Sequence, residues 1–135
     1  MKKVYICSPC KGDINGNREK TLLYSKYVMS QGFIPFAPHL YFTEFSEFLD
    51  DDKPKEREIV LRLALEWLFQ CNEVWVFGET ISEGMKNEIE IANKIGIKVI
   101  HVKTDDVKNF FNKTTQVKSI EQLLVDELNE RFANE

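Results

Sequence analysis

The sequence predicts an α/β fold with three α/β/α layers, in which helices cover both faces of a mostly parallel sheet of four to five strands. Short apolar runs alternate along the chain with longer segments of helical composition. Parallel strands need such long connections, and crossover helices fall on the two faces of the sheet. The 135 residues contain no internal repeat or linker. We therefore expect one domain over residues 1–135, with its core in 1–103 and a tail with a C-terminal helix in 104–135.

Four apolar runs are predicted to form the strands, at residues 4–7, 33–37, 74–77 and 97–102. The third run, Val-Trp-Val-Phe, is apolar throughout, which is typical of a strand buried on both faces. Pro35 lies in the second run and favours an edge position for it, because proline cannot donate to a neighbouring strand.

Helices are predicted over residues 18–31, 56–69, 83–95 and 120–132. Ser82 is placed to cap the start of the third helix, and Gly32 and Gly96 follow helix ends. In the second helix, Ile59, Leu63 and Trp67 are predicted to face the core. Residues 104–117 are polar and predicted to be irregular, and the long connection 38–55 is predicted to be functional or partly helical.

Composition narrows the classes of function. The net charge of −4 argues against binding to nucleic acid backbones, and no apolar run is long enough to span a membrane. Three cysteines without a secretory context indicate free thiols in the cytoplasm. Cys7 and Cys10 form a CxxC pair, but loop residues follow it where a redox motif would open a helix, so we interpret the pair as incidental. The two histidines, His39 and His101, lack the spacing of metal ligands, so no metal is expected. No cofactor is expected either.

A ligand is expected beyond the carboxyl ends of the strands. If the first strand lies beside the third, as in flavodoxin-like sheets, the loops 8–13 and 79–84 meet there. Both loops carry glycine and small polar residues, which let the backbone approach a ligand.

Glu88 is the most informative single residue. At 3.6 residues per turn, Met85, Ala92 and Ile95 share its face of the third helix, so its carboxylate points from the stripe that should face the sheet. A buried unpaired carboxylate is costly, which favours a functional role. The alternative is that Glu88 tilts out to solvent or pairs with a lysine.

Three further features accompany Glu88. Tyr5 on the first strand is placed to contact the carboxylate, although a plain core aromatic fits the same pattern. Ser82 and Gly84 open the third helix, where backbone N–H groups favour an anion; an ordinary N-cap is the alternative. His39 follows the second strand at the same edge, where it either touches a ligand or lies in a surface loop.

The chain resembles the nucleoside 2-deoxyribosyltransferase superfamily. The matching segments are residues 5–12, 38–39, 65–68, 72–76 and 82–92, of which the last is the most specific. The outline is similar to the 2'-deoxynucleoside 5'-phosphate N-hydrolase branch, and closer to uncharacterised, often phage-borne relatives.

The resemblance implies roles for particular residues. Glu88 corresponds to the glutamate that attacks the anomeric carbon, and Tyr5 to the tyrosine that orients it. Ser82 and Gly84 correspond to the residues that receive the 5'-phosphate, and Lys11 to a basic residue of the first loop. Ser8 and Gly12 belong to the same first-loop segment. The family is usually dimeric or larger, so a homodimer or higher homo-oligomer is expected.

One position departs from the family. The aspartate that assists departure of the base corresponds to Ala64, which cannot transfer a proton. Another acid takes its place, such as Glu56, Glu58 or a loop aspartate, or the chemistry has changed, or the protein only binds. The expected function is therefore an N-glycosidase or transferase acting on a nucleotide or deoxynucleotide. The alternative is a non-catalytic nucleotide binder, a sensor or a sponge for a nucleotide signal.

Overall fold

The structure, a computed structural model, describes residues 1–10, 12–50, 53–117 and 120–134. Its strands are β1 (Lys3–Cys7), β2 (Ile34–Phe36), β3 (Glu73–Val76) and β4 (Lys98–His101). Its helices are α1 (Ile14–Ser30), α2 (Pro38–Phe42), α3 (Pro54–Phe69), α4 (Glu83–Ile95), α5 (Thr104–Val117) and α6 (Ile120–Ala133). A 3₁₀ turn over Thr43–Phe45 follows α2 directly.

Within the described ranges, the sheet has four parallel strands in the order β2-β1-β3-β4. Tyr5 on β1 pairs with Phe36 on β2 and with Val74 on β3. The predicted α/β class, its parallel sheet and the first strand beside the third are confirmed. Pro35 lies in β2, which is an edge strand of this sheet.

Two apolar clusters cover the two faces of the sheet. Alternate residues of β1 point in opposite directions, so Tyr5 and Cys7 join α3 and α4 on one face, whereas Val4 and Ile6 join α1 and α5 on the other. Burial on both faces explains why the central strands are apolar at nearly every position. Helix α6 packs against α1 and α5.

Residues 104–117 form a helix, α5, so the prediction of an irregular segment is wrong. Val107 is 6% exposed and belongs to the cluster on the α1 side, with Phe111 packed against it. The Phe110 ring meets Tyr27 edge-on, with ring centroids 5.8 Å apart. These few apolar residues make a narrow stripe on an otherwise polar helix, and that stripe anchors it.

Two other local predictions are also corrected. Helix α1 begins at Ile14 rather than at the predicted residue 18, because Asp13 caps the helix by accepting a hydrogen bond from Gly16 N–H. In α3, Ile59 is 47% and Leu63 is 39% exposed, so neither faces the core as predicted. The described part of the chain includes no helix that is both long and apolar enough to cross a membrane.

Candidate active site

The connections between successive strands change direction at the centre of the sheet, between β1 and β3. From β1 the chain passes through α1 to β2, whereas from β3 it passes through α4 to β4, on the other side. Cys7 and Val76, the last residues of β1 and β3, are paired neighbours. The loops that follow them therefore leave the same edge side by side, which is where parallel sheets bind ligands.

Helix α4 begins at this edge with a fixed geometry. Ser82 has extended backbone angles, and its Oγ accepts a hydrogen bond of 3.3 Å from Met85 N–H. The side chain of Met85 is fully buried and anchors the first turn. A Cβ built on Gly84 would meet only Ser82 Oγ, at 4.0 Å. The first N–H groups of a helix have no intrahelical partner, so this open turn is suited to an anion.

Glu88 lies one turn further into α4, on the face that bears the buried residues Met85 and Ala92. Its Oε2 atom is buried and has no hydrogen-bond partner among the described residues. The Tyr5 hydroxyl donates a hydrogen bond to the Glu88 carboxylate. Tyr5 itself is 1% exposed on β1, so the pair joins the central strand to α4.

Burial raises the pKa of Glu88 from 4.5 to about 7, and the hydrogen bond from Tyr5 partly opposes this rise. Burial, followed by the nearby Glu88 charge, holds the pKa of Tyr5 well above its usual value, so the hydroxyl stays protonated and remains a donor. Near neutral pH, Glu88 is therefore a mixture of carboxylate and carboxylic acid. A carboxylate that has lost its water shell is a suitable nucleophile or base.

Burial also makes the thiol of the neighbouring Cys7 unreactive. Burial, and then the charge of Glu88, raise the pKa of Cys7 far above that of a free cysteine. Burial raises the pKa of Cys71 to about 12, against a smaller opposing effect of Lys3. Neither thiolate forms at neutral pH, and Cys7, Cys10 and Cys71 form no disulfide.

The residues expected in the first loop have different surroundings. Ser8 is buried and its hydroxyl forms a hydrogen bond of 3.1 Å with the Thr21 hydroxyl on α1, so the Ser8 side chain is already engaged within the protein. Gly12 has φ of +92°, a conformation that favours glycine, and a Cβ there would meet nothing within 4 Å. Lys11 lies outside the described residues.

His39, in the segment after β2, contacts the loop after β1. Its Nε2 lies 2.8 Å from the carbonyl oxygen of Ser8. A protonated Nε2 would donate to that carbonyl. His39 thus supports the backbone after β1, whether or not it also touches a ligand. In the described ranges, no three His, Cys, Asp or Glu side chains come together as a metal site would require.

The sequence did not identify the structural role of Arg18, a residue of α1 whose side chain hydrogen-bonds the segment after β2. Its guanidinium donates to the Leu40 carbonyl at 3.1 Å and to the Thr43 hydroxyl and the Glu44 carboxylate, both at 2.6 Å. The aromatic side chains of that segment pack on Trp67 of α3, with the Tyr41 centroid 5.0 Å away. The arginine was one charge among many in a helical stretch, so nothing local distinguished it.

Ala64 lies half-buried in α3, and α3 packs on both α2 and α4. The position that the resemblance matches to the superfamily's aspartate is therefore at the inner side of the helix, but it has no acidic group.

The chain belongs to a described protein family. Residues 2–102 match the family model "Domain of unknown function (DUF7768)". No curated protein matches the sequence.

Two solved structures share the fold. One is a 2-deoxyribosyltransferase from the psychrotolerant bacterium Bacillus psychrosaccharolyticus, with 16% identity and a TM-score of 0.57, covering 73% of this chain and 70% of that one. The other is a conserved protein from Enterococcus faecalis V583, with 16% identity and a TM-score of 0.53, covering 97% and 99%. The fold is thus nucleoside 2-deoxyribosyltransferase-like, as the sequence resemblance predicted.

Proposed function

We propose that this protein cleaves or transfers the N-glycosidic bond of a nucleoside or nucleotide, with Glu88 as the nucleophile. The observation that carries the proposal is the buried, unpartnered Oε2 of Glu88 beside the Tyr5 hydroxyl. A buried carboxylate oxygen without a hydrogen bond is costly unless a ligand uses it. The deoxyribosyltransferase-like fold makes a sugar carbon the natural target.

In the proposed reaction, Glu88 Oε2 attacks C1' of the sugar as the bond from C1' to the base nitrogen breaks. The base leaves with that bonding electron pair, and an ester between the sugar and Glu88 remains. Water then attacks C1' and releases Glu88, or a second base does so and completes a transfer. Tyr5, which stays protonated, holds the carboxylate in place and stabilises its ionised form.

We place the phosphate of a nucleotide substrate at the start of α4. Ser82 Oγ accepts from Met85 N–H and still has its own proton to donate to a phosphate oxygen. Gly84 leaves room for the phosphate above the first turn. Lys11 and Gly12 would approach from the loop after β1.

The second candidate is a non-catalytic nucleotide binder, and the specific observation that favours it is Ala64. In that case Glu88 would accept hydrogen bonds from sugar hydroxyls. Three cysteines outside any disulfide fit a cytoplasmic protein in either case.

Chromatography separates the two candidates. The pure protein, Glu88→Gln and Glu90→Gln are each incubated with a panel of nucleosides, nucleotides and dinucleotides, with and without acceptor bases. Glu90 is exposed on the same helix and pairs with Lys94, so its variant is a matched control. Free or exchanged base from wild type and Glu90→Gln, but not from Glu88→Gln, supports the enzyme. An intact ligand recovered from denatured wild type, with no base released or exchanged, contradicts it and favours the binder.

Self-association is the remaining part of the proposal. The family resemblance implies a homo-oligomer, and Ile59 and Leu63 leave an apolar face of α3 exposed that a second copy would cover. Light scattering is expected to give at least a dimer, and Ile59→Lys with Leu63→Lys is expected to shift it to monomer. A monomeric wild type at micromolar concentration would contradict this.

A further inference from the structure

Helix α3 carries a second carboxylate with a buried oxygen that has no hydrogen bond. Among the described residues, the side-chain atoms of this kind are Glu56 Oε2 and Glu88 Oε2. Lys53 Nζ lies 3.8 Å from Glu56 Oε2, which makes an ion pair but is too long for a hydrogen bond. The proposed reaction does not yet use Glu56.

The position of Glu56 in the fold places it at the edge that holds the candidate site. Helix α3 follows β2 and returns the chain to the start of β3, so its first turn lies at the carboxyl ends of the strands. Helix α4 starts at the same edge, on the same face of the sheet, and the two helices contact each other. The unpartnered oxygens therefore come from the first turn of α3 and the second turn of α4, two adjacent helices.

Glu56 also lies on the inner stripe of α3. Glu56, Val60 and Ala64 follow one another at intervals of four residues and are all half-buried, whereas Glu58 is exposed. Glu56 is thus two turns nearer the open edge than Ala64, on the same side of the helix. A carboxylate here would reach a ligand at the edge, where Ala64 has no group to offer.

We propose that Glu56 is the general acid that protonates the departing base. This inference rests on the proposed function. Glycosidic cleavage commonly uses two carboxyl groups, one as nucleophile and one as acid. The acid would come from the first turn of α3 instead of from position 64. A chain with alanine at position 64 could then still protonate the departing base.

The proton balance of the step is simple. The Glu56 carboxylic acid gives its proton to a ring nitrogen of the base as the C1'–N bond breaks, and Glu88 forms the ester with C1'. The base leaves as a neutral molecule and Glu56 becomes a carboxylate. In hydrolysis, the Glu56 carboxylate takes a proton from the water that attacks C1', and both residues return to their starting states.

A purely structural role predicts a different behaviour. An acidic residue in the first turn stabilises a helix through its dipole, and Glu56 is in that turn of α3. Such a role would make no distinction between leaving groups, whereas a general acid matters only when the leaving group needs a proton.

The test compares two leaving groups on the same sugar. One substrate carries the base that wild type releases. The other is the 4-nitrophenyl glycoside of the same sugar, whose leaving group departs as 4-nitrophenolate without protonation. For Glu56→Gln we expect kcat/KM to fall by about 100-fold or more on the first substrate and by less than about 3-fold on the second. Glu66→Gln, an exposed control on the same helix, should match wild type on both, and Glu88→Gln should fail on both.

The outcomes separate this inference from the proposed function. Equal loss on both substrates, or no loss on either, overturns the role of Glu56 and leaves that of Glu88 standing. If wild type cleaves neither substrate, the proposed function fails and the role of Glu56 fails with it. Should Glu56→Gln not fold, Glu56→Asp keeps the acid but shortens its reach, and the same selective loss on the natural substrate is expected.

Discussion

The Tyr5 hydroxyl on the central strand donates a hydrogen bond to the carboxylate of Glu88 on α4, whose buried Oε2 has no hydrogen-bond partner among the described residues. Two opposing effects set the pKa of Glu88 at about 7: burial raises it, and the hydrogen bond from Tyr5 lowers it. The balance keeps the carboxyl group able to change its charge near neutral pH.

Tyr5→Phe removes the hydroxyl and keeps the ring. We expect the pKa of Glu88 to rise further, because the group that favours its ionised form is gone. If the reaction needs ionised Glu88, the rising limb of kcat/KM against pH should move to higher pH and the rate at pH 7 should fall. Tyr24→Phe, on the opposite face of the sheet, is the control. An unshifted limb in Tyr5→Phe would disprove the coupling.

The contribution of Glu88 to the free energy of unfolding should decrease as pH rises. With a pKa of about 7 when folded and 4.5 when unfolded, the carboxyl binds more protons in the folded state between these values. The contribution of Glu88 to stability is therefore complete below pH 4.5, falls as pH rises towards 7, and is lost above that.

Glu88→Gln tests this without any substrate. The variant should be more stable than wild type at pH 8, by at most about 3 kcal/mol, and the two should be nearly equal at pH 4.5. Urea unfolding at both pH values measures the difference. A variant that is less stable than wild type at pH 8 would show that the ionised carboxylate is paired in the fold.

Arg18 is expected to hold the aromatic segment after β2 in place, because it joins α1 to Leu40, Thr43 and Glu44. In Arg18→Ala we expect faster proteolytic cleavage within residues 38–50 and a higher KM, with little change in kcat. Lys20→Ala, an exposed change in the same helix, is the control. Equal cleavage rates in both variants would argue that aromatic packing alone fixes the segment.

Helix α4 could be predicted from the sequence because several local signals agree there. Ser82 caps its start, Gly96 ends it in the left-handed conformation with φ of +81°, and one apolar stripe runs between them. The stripe also indicated that Glu88 points inward. Its orientation follows from helical spacing alone, which is why it could be stated before the fold was known.

Helix α3 was harder to orient, because apolar residues occur on more than one of its faces. Ile59 and Leu63 suggested one inner stripe, but Leu68 is the buried member and Val60 and Ala64 share its side. The burial of one Glu56 oxygen and the contacts of Arg18 depend on partners distant in sequence or on the orientation of a helix. No local pattern contains that information.

The close approach of α6 to the turn after α1 gives the last prediction. Gly32 has φ of +85°, and a Cβ there would collide with the Arg131 guanidinium, which also lies 4.9 Å from the Phe33 ring centroid. Gly96 has nearly the same φ, +81°, but a Cβ there would meet nothing within 4 Å. Both alanine substitutions carry backbone strain of about 1–2 kcal/mol, and only Gly32→Ala adds the collision.

We therefore expect Gly32→Ala to lower the free energy of unfolding more than Gly96→Ala does. In an Arg131→Ala background, which removes the guanidinium, the two glycine substitutions should cost about the same. Urea unfolding of the six chains, with each background as its own reference, measures both differences. If Gly32→Ala costs no more than Gly96→Ala when Arg131 is present, the Arg131 side chain moves aside at little cost, and its contact with the turn after α1 adds little to stability.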